Sequence, residues 1–89
     1  MALTFDPKKD AANLRKHGLS LSDAEPALRD PMAVTIEDAA ARGEARFITI
    51  GMGSESILVV VWTERAEEVR PISVRKATAK EKRHYAQGI

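Results

Sequence analysis

The stretch ILVVVWT, residues 57–63, is the most apolar part of this 89-residue chain. Its β-branched residues predict a strand, and its nearly uniform apolarity predicts that both faces are covered at the centre of a sheet. The apolar run from Ile57 to Trp62 has six residues, whereas a membrane helix needs roughly 20. We therefore expect a single globular domain, residues 1–89, built around this strand.

Strand patterns also occur on both sides of this stretch, so the sheet has several strands. The further strands are predicted at Ala2–Phe5, Met32–Ile36, Arg46–Met52 and Val69–Arg75. Pro71 has no N–H to donate to a ladder, so the last strand should lie at an edge of the sheet or be interrupted there.

A first helix is expected between the first two strands. It begins at Asp6-Pro7, where a short acceptor side chain caps the helix, and it ends before Gly18, which can adopt the left-handed conformation. Its apolar residues Ala11 and Leu14 are expected to face the sheet.

A second helix is expected over Leu21–Arg29. Its cap is Ser20 or Ser22, and Ser22 with Glu25 three residues later fits a capping box. Pro26 would remove a ladder bond from a helix that starts so early, so we expect a kink or a later start.

The last helix begins at Thr78, which forms another capping box with Glu81. The predicted order is a strand, two helices, four strands and a final helix. This order describes an α+β domain, a mainly antiparallel sheet with two N-terminal helices and one C-terminal helix.

Charge is unevenly distributed along the chain, although the net charge is only +1. Residues 69–89 hold six basic residues and one acidic residue, a net charge of +5, whereas residues 1–68 hold eight basic and twelve acidic residues, a net charge of −4. A cationic end on a near-neutral chain suits an anionic partner, and it is equally compatible with solubilising surface charge.

The chain contains no cysteine. This excludes a disulfide scaffold, zinc fingers and thiol catalysis, and it favours a cytoplasmic location. The N-terminal residues lack the basic and apolar regions of a signal peptide. His17 and His84 are far apart and the acidic residues do not cluster at ligand spacing, so neither a metal site nor a cofactor is expected.

Arginine side chains are the strongest candidates for phosphate binding, because a guanidinium group can form two hydrogen bonds with one phosphate. Arg65 is expected at a hairpin turn, and Arg70 and Arg75 in the following strand. On a regular strand Arg70 and Arg75 face opposite sides, since they are five residues apart, and a break at Pro71 would change that parity. Further basic candidates nearby are Lys76, Lys80 and Arg83.

Both outer helices carry polar candidates. A polar stripe on the first helix is formed by Lys9, Asn13 and Lys16. His17 is either a cation that complements the helix dipole or a proton carrier. On the last helix Glu81 is a candidate base, an orienting residue for an arginine or only the capping carboxylate. Tyr85 is a stacking residue, a proton donor or part of the core.

Several segments together resemble the BrnT-type toxins of bacterial type II toxin–antitoxin systems. With the acidic and apolar second helix, the similar stretches are Phe5–Gly18 (FDPKKDAANLRKHG), Arg46–Gly51 (RFITIG), Leu58–Arg65 (LVVVWTER) and Val69–Tyr85 (VRPISVRKATAKEKRHY). They cover nearly the whole chain in the family's order. The motifs N-x-x-K-H-G and R-x-I-S-x-R-x-A-T-x-x-E-x-x-x-Y are fairly specific as a pair. Phe5 replaces a frequent tryptophan, and Pro71 replaces a frequent aliphatic residue.

The resemblance implies a RelE-like fold and a small ribonuclease that cuts RNA without a metal, arrests translation and is neutralised by an antitoxin. That antitoxin would carry a ribbon-helix-helix domain, and operator DNA would be contacted only through it. In the implied reaction a base takes the 2′-hydroxyl proton, cations stabilise the phosphorane and an acid protonates the leaving 5′-oxygen.

The motif match and the charge gradient together suggest roles for individual residues. Arg65 and Arg75 are expected to stabilise the phosphorane. Glu81 or His17 would be the base, and Tyr85 or a lysine the acid. RNA is expected to contact Lys9, Lys16, Arg70, Lys76, Lys80 and Arg83. The alternatives are a non-catalytic RNA- or antitoxin-binding module of the same fold, and a structural domain with purely solubilising charge.

Overall fold

The first helix, α1, spans Pro7–His17 as predicted, in a computed structural model that describes residues 3–39 and 43–88. Asp6 caps its start by accepting a hydrogen bond from the Lys8 amide at 2.8 Å. Gly18 ends the helix with a φ of 73°, a left-handed conformation that residues with a Cβ rarely adopt.

The segment predicted as the second helix is divided into a 3₁₀ turn at Leu21–Asp23 and a short helix, α2, over Ala24–Arg29. Ser20 caps the 3₁₀ turn and forms a capping box with Asp23. The capping box predicted between Ser22 and Glu25 is therefore wrong. Pro26 gives the reason for the late start. It falls within the first turn of α2, where a missing N–H costs no ladder bond.

Four antiparallel strands form one sheet in sequential order. They are β1 (Val34–Glu37), β2 (Phe47–Met52), β3 (Ile57–Arg65) and β4 (Glu68–Lys76). The most apolar stretch lies in β3, which pairs with a strand on each side as predicted.

The strand predicted at Ala2–Phe5 is not formed in the described residues. Leu3 makes a single parallel bridge with Val69, because the chain turns into α1 immediately after Phe5. Ala2 lies outside the described residues, as do residues 40–42 between β1 and β2.

A β-bulge interrupts β4, one of the two edge strands of the sheet, next to its proline. Val61 pairs with Ser73, whereas Trp62 pairs with Pro71, so Ile72 is an additional residue on β4. Both predicted consequences of the proline, an edge position and a break, are therefore confirmed.

The main core lies between one face of the sheet and the segment from Leu21 to Arg29. Its buried side chains are Leu21, Ala24, Ala27, Leu58, Val60 and Val74. Gly51 lies directly under α2, where an added Cβ would be 2.3 Å from the Ala27 carbonyl oxygen. Only glycine therefore allows α2 to approach β2 so closely.

α1 docks against the outer edge of β4 through a polar residue. Asn13 accepts a hydrogen bond from the Val74 amide at 3.0 Å and donates to the carbonyls of Val74, at 2.9 Å, and Leu19, at 2.8 Å. Ala11 and Leu14, which were expected to face the sheet, are exposed. That expectation is wrong because the backbone groups of an edge strand require hydrogen-bond partners, which apolar side chains cannot supply.

The last helix, α3, spans Ala79–Gln87 and has the predicted capping box between Thr78 and Glu81. It returns along the other face of the sheet, where His84 borders an apolar groove with side chains of β1 and β2. No described helix has the length and apolarity needed to cross a membrane.

Candidate nucleic-acid interface

The bulge in β4 places two predicted arginines on one face of the sheet. Arg70 pairs with Thr63, and Arg75 pairs with Val59, four residues away on β3. Because paired residues project from the same face and a strand alternates every two residues, Arg70 and Arg75 share the face that is opposite the main core. A regular strand would have separated them.

A groove of about 310 Å³ lies between α1 and the bulge of β4. Lys9, Lys16 and His17 line it from α1, and Ile72 and Ser73 line it from β4. The structure thus brings the predicted basic residues of α1 together with the strand that carries the arginines. Asn13, predicted in the same polar stripe, supports the groove from beneath and is 6% exposed.

Arg75 and Glu81 form a doubly hydrogen-bonded ion pair between β4 and α3, with Nη1–Oε1 and Nη2–Oε2 distances of 2.8 Å each. The bond from Arg75 is the main reason that the pKa of Glu81 falls to about 2, and the same bond raises the pKa of Arg75. A carboxylate stabilised in this way is a weak proton acceptor. The geometry therefore suits Glu81 to orienting Arg75.

Tyr85 donates its hydroxyl hydrogen to Asp30 Oδ2 at 2.5 Å. The same carboxylate accepts hydrogen bonds from the backbone amides of Met52, at 2.8 Å, and Met32, at 2.9 Å. The bond between the two side chains raises the pKa of Tyr85 and lowers the pKa of Asp30. Tyr85 thus links α3 through Asp30 to the end of β2, an arrangement that does not favour proton donation to a substrate.

Arg65 lies at the opposite end of the β3–β4 hairpin from Arg75. Its Nη2 is 2.6 Å from Oε2 of Glu44. Arg65 pairs with Glu68 next to the turn, whereas Arg75 pairs with Val59, six residues back along β3. At about 3.3 Å per residue this separates the two arginines by about 20 Å, so they cannot hold one phosphate together.

The remaining predicted basic residues lie elsewhere. Lys76 pairs with Leu58 and so projects from the face that carries the main core, away from Arg75. Lys80 and Arg83 are exposed on α3. The structure does not bring these three into the groove beside α1.

Several relevant residues escaped the sequence reasoning. Arg46 and Glu44 precede β2 and line a cleft together with Arg65, a position that only the strand register reveals. Asp30 directly follows the segment predicted as the second helix, and the sequence gives no sign that its carboxylate joins three segments. Asn13 was visible within the N-x-x-K-H-G motif, but its role depends on the strand edge that it meets.

Among residues 3–39 and 43–88, no group of three or more His, Cys, Asp or Glu side chains is arranged to hold a metal ion.

The fold and the site define a small α+β protein with a cationic groove along the edge of an antiparallel sheet, a surface that suits a polyanion. Residues 5–81 match the model of a protein family described as "Ribonuclease toxin, BrnT, of type II toxin-antitoxin system". Because this match covers most of the chain, the protein belongs to the BrnT family, and the resemblance is confirmed. No curated protein matches the sequence. Membership in a type II family implies an antitoxin as partner.

Proposed function

We propose that this BrnT-family protein is a single-domain, metal-independent endoribonuclease with a RelE-like fold that inhibits translation in the cytoplasm. A cognate antitoxin with a ribbon-helix-helix domain neutralises it and links the complex to operator DNA. The family match supports the ribonuclease activity. The observation that carries the proposal is the position of Arg70 and Arg75 on one sheet face beside the basic groove of α1.

Substrate RNA follows β4 in this proposal. Lys9, Lys16 and Arg70 contact its backbone, because the bulge and α1 present their side chains along one edge of the sheet. Lys80 and Arg83 add positive charge from α3. Lys76 is left out of the RNA-binding set, since it projects from the other face.

The reaction takes place at the end of β4 nearest to α3. Arg75, oriented by Glu81, stabilises the charge that develops on the phosphorane. His17 accepts the 2′-hydroxyl proton. It lies one turn beyond Asn13, which contacts Val74 beside Arg75. Lys16 protonates the leaving 5′-oxygen, and Tyr85 acts as an anchor for α3.

Induced expression without the antitoxin tests this proposal. We expect growth arrest by the wild-type protein and loss of arrest in Arg75→Ala, with RNA cleavage slowed by about 10²–10³-fold, because one electrostatic stabiliser is removed. Arg29→Ala is the matched control, since Arg29 is an exposed arginine that also forms an ion pair, with Glu25 at 3.0 Å. This control should remain toxic.

Two outcomes would contradict the proposal. Unchanged toxicity and cleavage in Arg75→Ala would show that the role assigned to Arg75 is wrong. Retention of RNA that weakens with salt, without any cleavage, would identify a non-catalytic binding module.

A further inference from the structure

A second, smaller cleft of about 120 Å³ lies on the same sheet face at the turn end of the β3–β4 hairpin. Its charged lining comes from α1, the segment before β2, β3 and β4. The cations among these residues are Lys9, Arg46, Arg65 and Arg70, and the acids are Asp6 and Glu44. Four cations around so small a volume attract a compact anion.

Arg70 carries a donor that none of the acceptors lining the cleft satisfies. Its Nε is buried and has no hydrogen-bond partner among the described residues. A buried donor without a partner destabilises the folded state, so such an atom points to a group that arrives from outside. The acceptor that matches a guanidinium donor best is a phosphate or carboxylate oxygen.

The cleft already stabilises one anion, the carboxylate of Glu44. Its Oε2 lies 2.6 Å from Nη2 of Arg65. That bond is the main reason for the lowered pKa of Glu44, to which Thr63 and Arg46 also contribute. The Glu44 side chain is 41% exposed, so it can leave toward solvent when another anion enters.

We propose that this cleft is a phosphate-binding subsite in which Arg46, Arg65 and Arg70 hold one backbone phosphate of the RNA and displace Glu44. The inference rests on the proposed function for the identity of its ligand. This phosphate is not the one that reacts, because along the hairpin Arg75 lies about 13 Å from Arg70 and about 20 Å from Arg65. The subsite therefore positions the RNA relative to Arg75.

Titration of the ¹⁵N-labelled protein with inorganic phosphate tests the subsite through the Nε–Hε resonances of its arginines. We expect the Arg70 signal to shift on binding. Glu44→Gln should tighten phosphate binding by about three- to tenfold, because a competing negative charge is removed. Arg70→Lys should weaken it by about tenfold, because lysine keeps the charge but lacks the Nε donor.

Glu25→Gln is the matched control, since it removes an equal charge from another exposed Glu–Arg pair. Equal effects of Glu25→Gln and Glu44→Gln would overturn the proposal, because only net charge would then matter.

A short oligodeoxyribonucleotide, which lacks the 2′-hydroxyl and cannot be cleaved, should show the same tightening in Glu44→Gln. Tightening with inorganic phosphate alone would contradict a backbone subsite. Neither binding measurement, with inorganic phosphate or with the oligodeoxyribonucleotide, depends on cleavage. A failure of the ribonuclease proposal is therefore distinguishable from a failure of the subsite proposal.

Discussion

Asn13 shows how a single side chain can close the edge of a sheet. An exposed edge strand can pair with a strand of another chain. The side-chain amide of Asn13 forms hydrogen bonds with both the backbone N–H and the carbonyl of Val74 on the outer edge of β4. Lys16 and His17 follow Asn13 on the next turn of α1. The N-x-x-K-H-G motif therefore combines a structural residue with two residues that line the groove.

We expect Asn13→Asp to destabilise the protein by about 2–4 kcal/mol near neutral pH. The carboxylate would keep the acceptor for the Val74 amide, but it would place a buried negative charge against the two carbonyls that Asn13 now serves. Urea denaturation measures this change in the free energy of unfolding.

Ala11→Asp is the control for this substitution, because it adds the same charge at an exposed position of α1. Its cost should stay within about 0.5 kcal/mol. Equal costs for the two variants would show that Asn13 does not support the edge of β4.

The elements themselves were largely predictable, because their signals are local. The caps at Asp6 and Thr78 and the β-branched run of β3 depend on neighbouring residues alone. The division of the second helix and the position of the bulge were foreseen from Pro26 and Pro71, since proline lacks an N–H. The face that α1 presents to the sheet was not predictable, because it depends on hydrogen bonds to a strand 61 residues away.

The ion pair between Arg75 and Glu81 joins α3 to the sheet, and its contribution to stability depends on pH. The folded-state pKa of Glu81 is lowered to about 2 from an ordinary value of 4.5. The ion pair with Arg75 therefore stabilises the fold above about pH 4.5, and this contribution is lost as the pH falls toward 2. Because both side chains are partly exposed, we expect the contribution to be about 1–2 kcal/mol.

Unfolding of Glu81→Gln and the wild type across this pH range measures the contribution. The difference in the free energy of unfolding should be largest near neutral pH and should vanish near pH 2. Glu25→Gln, which alters an exposed pair within α2, should show almost no difference at either end. A difference for Glu81→Gln that does not change with pH would contradict this role for the ion pair.

At the scale of the whole molecule, the interface joins parts of the chain that are distant in sequence. The cationic C-terminal third and the basic residues of α1 meet only because α1 packs along the edge of β4. The family motifs indicated the class of protein, and the residue types along the chain supplied the candidates for the interface. They could not show that Arg65 and Arg75 lie at opposite ends of a hairpin, because that separation follows from strand register.

In the proposed reaction this BrnT-family protein cleaves RNA by attack of the 2′-hydroxyl, with side-chain cations in place of a metal. Incubation of the purified protein with end-labelled RNA in excess chelator, followed by analysis of the new ends, tests it most directly. We predict cleavage with 2′,3′-cyclic phosphate and 5′-hydroxyl ends. Cleavage only after addition of Mg²⁺, or products that carry 5′-phosphate ends, would contradict the claim.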